Sequence, residues 1–163
     1  METRTGLAKS LLAIIIALTL TSCGSDVIFS GHENMPPEGW NRNNAVTFKA
    51  EINDTITPSS IDISIRTGST YPYRNLFLFV STFAPNGIRI VDTLEYNLAD
   101  SRGKRLGRGT GDIRELDLSL RKNVYFPQAG PYLIRVEHAM RTDTLEGVYD
   151  VGLIVRRETG KKR

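Results

Sequence analysis

Apolar side chains recur at every second position along several short segments, and this period constrains the fold more than any other feature of the chain. In one such segment, Val46, Phe48, Ala50 and Ile52 alternate with polar residues. Because successive side chains of a strand point to opposite faces, a period of two predicts a strand with one buried face. The same reasoning predicts about eight strands, at residues 27–29, 45–52, 61–66, 76–83, 88–98, 116–121, 132–140 and 148–155.

No segment between these strands shows the period of an amphipathic helix. Parallel strands need long crossover connections, which are usually helical, and the intervals here leave no room for them. Short strands at regular spacing, separated by turn residues, are typical of a sandwich or barrel. We therefore predict an all-β, antiparallel two-sheet β-sandwich, for which a jelly-roll-like order is one of the arrangements.

Residues 76–83 depart from alternation, because nearly every position is apolar. A run of this length that is rich in aromatic residues and bounded by turn signals predicts a central strand covered on both faces. The sequence leaves open whether the second cover comes from the same chain or from another copy.

The N-terminal segment has the organisation of an export signal. Arg4 and Lys9 precede the unbroken apolar run of residues 11–18, which is too short for a membrane span of about 20 residues. Residues 20–23, Leu-Thr-Ser-Cys, resemble a bacterial lipobox, which implies a diacylglycerol on the cysteine and cleavage before it. We predict a lipoprotein signal peptide at residues 1–22 and a lipid on Cys23 that anchors the protein to a membrane.

This lipid on Cys23 is the only bound group that the sequence predicts, and no cofactor is expected. Cys23 is the only cysteine, so its acylation leaves no thiol for a disulfide or a thiolate metal site. Two histidines are too few for a His-rich zinc site, so no metal is expected. The net charge of +3 is a small excess that argues against a nucleic-acid partner.

The part of the chain that follows the signal has the length of one domain, and neither a repeat nor an interdomain linker divides it. The predicted order is a lipidated N-terminus with a short tether at residues 23–30, a single β-sandwich domain at residues 31–157, and a charged tail at residues 158–163.

The loop at residues 100–112 has the most unusual composition, with four glycines and four cations. It lacks the Gly-Lys-Ser/Thr ending of a P-loop and opens no helix, so it does not predict a nucleotide site. Its cations suit an acidic partner surface, a phosphate or an acidic glycan. The alternative is a flexible hairpin excursion that its charges keep soluble. The candidate partner-binding cations are Arg102, Lys104, Arg105 and Arg108.

Aromatic residues near two proline-containing loops form a second candidate site. Tyr71 and Tyr73 suit aromatic anchors for a protein partner, since Tyr and Arg are frequent in interface hot spots. Together with Trp40 they also suit a platform on which a sugar ring stacks. The alternative for Trp40 is a position over the core, where the first sheet begins.

His138 is the one candidate for acid–base catalysis. It lies in phase with apolar residues of its predicted strand, and its neighbour Glu137 faces the opposite side and cannot orient the ring. A structural histidine with satisfied hydrogen bonds is therefore the prediction. No catalytic residue is predicted, and nothing in the sequence argues for an enzyme.

Six short motifs follow the lipobox in a fixed order. They are the residues 36–40 (Pro-Pro-Glu-Gly-Trp), 73–76 (Tyr-Arg-Asn-Leu), 92–98 (Asp-Thr-Leu-Glu-Tyr-Asn-Leu), 107–109 (Gly-Arg-Gly), 136–141 (Val-Glu-His-Ala-Met-Arg) and 147–152 (Gly-Val-Tyr-Asp-Val-Gly). As an ordered set these motifs resemble the gliding motility lipoprotein GldH family of the Bacteroidota. The resemblance covers nearly the whole chain after the signal.

The resemblance implies a non-catalytic envelope lipoprotein that acts as an accessory component of gliding motility and of the secretion system coupled to it. Its implied partners are the membrane, through the lipid anchor, and envelope proteins of that machinery. The tether lacks the acidic run of surface-exposed lipoproteins in this phylum, which favours an outer-membrane location facing the periplasm. The alternative function is a glycan-binding β-sandwich lipoprotein of the cell envelope, and a hydrolase that uses His138 is a third class.

Overall fold

The computed structural model describes residues 26–158, and all of the secondary-structure elements in this range are β-strands. The all-β prediction is confirmed, and each of the predicted strands occurs. The two strands that the sequence did not predict, β2 (Trp40–Asn41) and β9 (Thr144–Leu145), contain only two residues each. The strands are β1 (Val27–Asn34), β2 (Trp40–Asn41), β3 (Val46–Ile52), β4 (Ser59–Thr67), β5 (Asn75–Phe83), β6 (Arg89–Asn97), β7 (Arg114–Val124), β8 (Gly130–His138), β9 (Thr144–Leu145) and β10 (Val148–Arg157).

The eight long strands form two four-stranded antiparallel sheets. We call them the first sheet, with the order β1-β10-β4-β7, and the second sheet, with the order β3-β8-β5-β6. When the long strands alone are numbered along the chain, these orders read 1-8-3-6 and 2-7-4-5. That interleaving of two Greek keys is the jelly-roll topology.

The core lies between the inner faces of the two sheets, and the period-two pattern explains its composition. Along β3 the residues Val46, Phe48, Ala50 and Ile52 are buried and those between them are exposed, as the sequence predicts. The register places Phe48 opposite the buried Ile134 of β8. Burying one such large aliphatic or aromatic side chain contributes about 1.5–3 kcal/mol, so the facing apolar rows hold the sandwich together.

Strand β5 is central in the second sheet but is covered on only one face. Leu76, Leu78 and Val80 are completely buried, whereas Phe79 on the outer face is 44% exposed. The prediction that residues 76–83 are covered on both faces is therefore wrong for the single chain. Both backbone edges of β5 are hydrogen-bonded, to β6 and to β8. Its central position in the sheet follows from these ladders and does not require a second apolar layer.

The connections divide between the two ends of the sandwich. The loops 35–45, 68–74, 98–113 and 139–147 lie at one end, which we call the far end. The loops 53–58, 84–88 and 125–129 lie at the other, together with Asp26 and Glu158, and we call it the terminal end. A strand of nine residues such as β4 spans about 30 Å, so the two ends are about that far apart.

The sandwich starts at the beginning of the described chain. Strand β1 pairs with β10 from Val27 onward, with an irregularity between Val27 and Phe29. Residues 27–30, which the sequence analysis assigned to the tether, thus already belong to the first sheet. The predicted signal peptide at residues 1–22 and the lipidation site Cys23 lie outside the described residues.

Candidate functional site

The loop of cations and the loop of tyrosines lie together at the far end. The backbone N–H groups of Leu98 and Ala99 both donate to the carbonyl oxygen of Arg74, at 2.8 and 3.1 Å. Arg105 also links the two loops, since its guanidinium donates to the carbonyl oxygen of Thr67, the last residue before the tyrosine loop, at 2.5 Å. The sequence placed these residues far apart, and the jelly-roll topology brings them to one surface.

Arg105 and Arg108 are held within the chain. Besides its bond to Thr67, Arg105 donates to the carbonyl oxygen of Asp112 at 2.5 Å. Arg108 forms an ion pair with Asp117 at 3.0 Å and a longer one with Glu115 at 3.6 Å. These bonds contribute to the shape of the loop, and the side chain of Arg108 is still 73% exposed.

Arg102 and Lys104 are exposed, and within residues 26–158 their side chains contact no carboxylate. Their backbone N–H groups both donate to Oδ1 of Asp100 at 2.9 Å, which closes a tight turn under the two side chains. The loop is thus ordered by internal bonds, and it presents two of its four predicted cations to solvent.

Glycine at residue 107 lets the loop fold back onto β7. Its φ is +94°, and a Cβ atom there would collide with the carbonyl oxygen of Glu115 and the side chain of Leu116. The close approach allows Arg108 and Glu115 to exchange two backbone hydrogen bonds of 2.8 Å. Gly107 thus enables a backbone contact between this loop and β7.

The two tyrosines have different roles in the loop 68–74. The hydroxyl of Tyr71 donates to the carbonyl oxygen of Asn75 at 2.7 Å. Burial is the main cause that raises the pKa of Tyr71 above its usual value, and the neighbouring Tyr73 raises it further. The rings stand edge to face with centroids 6.0 Å apart. Tyr71 is a supporting residue, and Tyr73 is exposed.

Tyr73 borders an apolar recess that the sequence did not predict. The recess has a volume of about 420 Å³ and opens on the outer side of the second sheet. The lining residues are Tyr73, Phe77, Ala139, Met140 and Arg141. Phe77 belongs to the run that the sequence predicted to be covered on both faces. Alternation along β5 indicates that the side chain of Phe77 points outward, and this was the sequence signal for the recess. The recess has the size and apolar character to take an apolar side chain.

Trp40 is completely buried and does not form a sugar-stacking platform. Its Nε1–H donates to the carbonyl oxygen of Asn44 at 2.8 Å, and β2 pairs it with the buried Leu145. The prediction of Trp40 as an exposed glycan-stacking residue is therefore wrong, and the prediction that it packs on the core is confirmed. The indole closes the far end of the core.

His138 is buried against Trp40, with the two rings edge to face at 5.3 Å. The predicted structural position of this histidine is confirmed, and within residues 26–158 neither ring nitrogen forms a direct hydrogen bond of good geometry with another protein group. Burial is the largest cause that lowers the pKa of His138, and the nearby backbone of Trp40 and Asp143 opposes it weakly.

The carboxylates near His138 are engaged elsewhere. Glu137 accepts a bond from Arg135 at 2.8 Å, and Asp143 forms an ion pair with Arg42 at 3.4 Å. A general base needs an orienting partner and a nucleophile within hydrogen-bond reach. Within the described chain, His138 has neither, so its geometry does not assemble a catalytic pair.

A polar recess on the outer face of the first sheet is a further feature that the sequence did not predict. Asp150 is 4% exposed, its Oδ2 has no hydrogen-bond partner, and burial is the main cause that raises its pKa. Arg66 lies opposite Asp150 in the register and lowers that pKa, and Gly152 leaves the recess without a side chain beside them. The outward position of Asp150 on β10 was predictable from alternation, but its burial was not.

Among residues 26–158, no group of three or more His, Cys, Asp or Glu side chains is placed to hold a metal ion. In the same range no helix has the length and apolar character needed to cross a membrane.

Comparison with known proteins adds relatives along nearly the whole chain. The model of the family described as GldH lipoprotein matches residues 27–155. The gliding motility lipoprotein GldH of Flavobacterium johnsoniae is 30% identical over 154 residues, which cover 90% of this chain and 95% of that protein. The gliding motility lipoprotein GldH homolog of Christiangramia forsetii is 31% identical over 151 residues, which cover 88% and 92%.

Some solved structures show a distant likeness. A chain from the structure of infectious bursal disease virus Gx strain is 13% identical, with a TM-score of 0.35, and the match covers 82% of this chain and 30% of that one. At that TM-score the likeness carries no argument about function.

Proposed function

Because the chain belongs to the GldH lipoprotein family, we propose that it is a membrane-anchored accessory component of gliding motility and of the protein secretion machinery associated with it. In this proposal the protein is non-catalytic, the lipid on Cys23 holds it at the periplasmic face of the outer membrane, and the far end engages another envelope protein. The names of the two relatives support the part in gliding motility.

The observation that carries the proposed mechanism is the separation of the two ends. The described chain begins at Asp26, three residues after Cys23, and Asp26 lies at the terminal end. The far end is about 30 Å away along the strands. A lipid on Cys23 therefore presents the far-end loops away from the bilayer. Confinement to a surface raises the effective concentration, so a weak interface with a second membrane protein is sufficient.

The proposed contacts are the groups that the fold leaves available at the far end. Arg102 and Lys104 provide exposed positive charge, and the recess beside Tyr73 provides an apolar pocket. Arg105, Arg108 and Tyr71 support these groups through their internal bonds. An acidic partner surface with one protruding apolar side chain would match this combination, since anchors in pockets and arginines dominate interface hot spots.

The test is recovery of envelope partners after crosslinking, with tagged wild type compared with the double variant Arg102→Ser, Lys104→Ser. A matched control is Lys49→Ser, Lys122→Ser, which removes the same charge from exposed lysines outside the far-end loops. A third sample, Cys23→Ala, removes the anchor. Arg105 and Arg108 stay unchanged, because their replacement would also disturb the loop.

We expect components of the motility or secretion machinery with wild type and with the control, and their loss with the far-end variant and with Cys23→Ala. In a host that glides, spreading of colonies should fall with the same two variants. Equal recovery from the far-end variant and the control would contradict the assignment of the interface. Recovery of polysaccharide alone would contradict the proposed function and favour the glycan-binding alternative.

A further inference from the structure

Both ends of the described chain are tied to the terminal end of the sandwich. The carbonyl oxygen of Asp26 accepts a bond from the backbone N–H of Arg157 at 2.7 Å. The backbone N–H of Glu158 donates to the carbonyl oxygen of Pro58 at 2.7 Å. These bonds fix the exit point of the chain that leads back to Cys23.

The distance from the lipid to the fold is short. Only Gly24 and Ser25 separate Cys23 from Asp26. An extended chain of three residues spans about 10 Å, so a diacylglycerol on Cys23 holds the terminal end at the level of the lipid headgroups. The three loops of that end then face the bilayer, whatever their composition.

In each of these three loops one large apolar or aromatic side chain is exposed, and we call these three side chains the tips. Ile56 is 86% exposed, and Ile88 and Tyr125 are each 56% exposed. Among the large apolar residues that the structure describes as exposed, these three are the most exposed. Exposed apolar residues that are grouped on one surface mark an interaction site more often than single ones do.

The tips are held in place by internal hydrogen bonds. Oδ1 of Asp54 accepts bonds from the backbone N–H groups of Ile56 and Thr57, both at 3.0 Å. Oδ1 of Asn86 accepts the corresponding bond from Ile88 at 3.1 Å. Two loops thus repeat one arrangement, an Asp or Asn that braces an outward isoleucine two residues later. Bracing of this kind lowers the conformational entropy that would be lost when the tip inserts.

The third tip is built differently and suits a membrane interface. Phe126 points inward against Tyr132, with ring centroids 4.9 Å apart, and its neighbour Tyr125 points outward. A tyrosine with its ring in the acyl boundary and its hydroxyl in the headgroups matches the preferred position of this residue in membranes.

Two carboxylates near these loops have partners within the described chain. Asp54 forms an ion pair with Arg157 at 3.4 Å, and Oε2 of Glu158 accepts a bond from the backbone N–H of Asn123 at 3.2 Å. Beyond Glu158 the sequence continues to three cations at residues 161–163. Basic residues next to a bilayer are attracted to its anionic lipids.

We propose that the terminal end is a second membrane contact, in which Ile56, Ile88 and Tyr125 enter the lipid interface and hold the sandwich upright on the bilayer. This inference rests on the lipidation of Cys23 in the proposed function. The lipid supplies the attachment and the three tips supply the orientation, so the far-end loops keep a constant height and direction above the membrane.

The test measures how close each end lies to lipid. Because acylation occupies Cys23, a cysteine introduced elsewhere is the only free thiol of the lipidated chain and accepts an environment-sensitive fluorophore. Three single variants are compared: Ile56→Cys, Ile88→Cys and, at the exposed far-end loop, Thr110→Cys. Each is reconstituted in vesicles of phosphatidylethanolamine and phosphatidylglycerol, with and without a spin-labelled quencher on the acyl chains.

We expect blue-shifted emission and loss of intensity with the quencher at positions 56 and 88, and neither at position 110. In a second set, the label is placed by Tyr125→Cys. Its quenching should fall when Ile56→Ser and Ile88→Ser are added. It should stay unchanged when Leu106→Ser and Ile113→Ser, two exposed apolar residues of the far end, are added instead.

Mass spectrometry of the purified wild type separates this inference from its premise. An unacylated Cys23 would overturn both the anchor and the membrane contact. An acylated chain whose labels at 56 and 88 are as unquenched as the label at 110 would overturn the membrane contact alone. Equal quenching at all three positions would show a domain lying flat and would overturn the upright orientation.

Discussion

The replacement of Trp40 is the most direct test of how the far end is built. The indole is completely buried, donates one hydrogen bond to the carbonyl oxygen of Asn44, and packs edge to face on His138. Trp40→Ala leaves a cavity and an unpaired carbonyl, and we expect a loss of stability of about 4 kcal/mol, within the range for buried aromatic residues. Trp40→Phe keeps an aromatic ring and loses the hydrogen bond, worth about 0.5–1.5 kcal/mol, together with part of the packing.

Urea unfolding followed by circular dichroism measures these losses, and thermal unfolding gives a second reading. For a domain of this size each kcal/mol lowers Tm by roughly 3 °C, so Trp40→Ala should lower it by roughly 12 °C. The control is Tyr125→Ala, which removes a ring that is 56% exposed and should change Tm little. Since Trp40 is the only tryptophan, resistance of its fluorescence to a soluble quencher reports its burial in the wild type.

A loss of less than about 1 kcal/mol in Trp40→Ala would refute this reasoning, because a fully buried ring cannot be removed at so small a cost. Efficient quenching of Trp40 by a water-soluble quencher would refute it as well, and would restore the sugar-stacking interpretation.

Three further predictions concern pH and backbone conformation. His138 has a folded-state pKa below its usual 6.5, so between these two values the unfolded chain binds more protons than the folded one. The free energy of unfolding should therefore fall as the pH decreases from 6.5 toward the folded-state pKa. Urea titrations at several pH values measure this slope, and His138→Gln should remove it. Asp150 has a folded-state pKa above its usual 3.8, so its contribution to stability falls as the pH rises from 3.8 through the folded-state pKa. Asp150→Asn should therefore raise Tm at neutral pH and leave it unchanged well below pH 3.8. Gly147→Ala places a methyl group against the backbone of Tyr71 at a φ of +73°, whereas in Gly111→Ala, at a φ of +63°, the methyl group meets only open space. Gly147→Ala should therefore lower Tm more than Gly111→Ala does. An equal loss in the two variants would contradict the close approach of residue 147 to Tyr71.

The strands were predictable because their pattern is local. Alternation along residues 46–52 identifies both the strand and its buried face, and β3 follows it without exception. The two-residue strands β2 and β9 were not predictable, because a pairing of Trp40 with Leu145 joins residues about a hundred positions apart and leaves no period in the sequence.

The candidate site was predicted only in part. Composition identified the loop 100–112, but it could not show that Arg105 reaches the carbonyl oxygen of Thr67, 38 positions earlier in the chain. The same limit applies to Phe79, whose apolar neighbours suggested burial although its side of β5 faces outward. The roles of these side chains depend on what the topology places opposite them.

The sequence by itself determined the all-β class and the family, because strand period and motif order are properties of neighbouring residues, and it predicted an anchor at Cys23. Only the tertiary structure decided that Trp40 is buried, that Arg105 and Arg108 are bonded within the chain while Arg102 and Lys104 form no such side-chain bond in the described residues, and that the exposed tips share an end with Asp26. Burial, pairing and placement arise from contacts between residues distant in the chain, and in this fold the two interleaved sheets create those contacts.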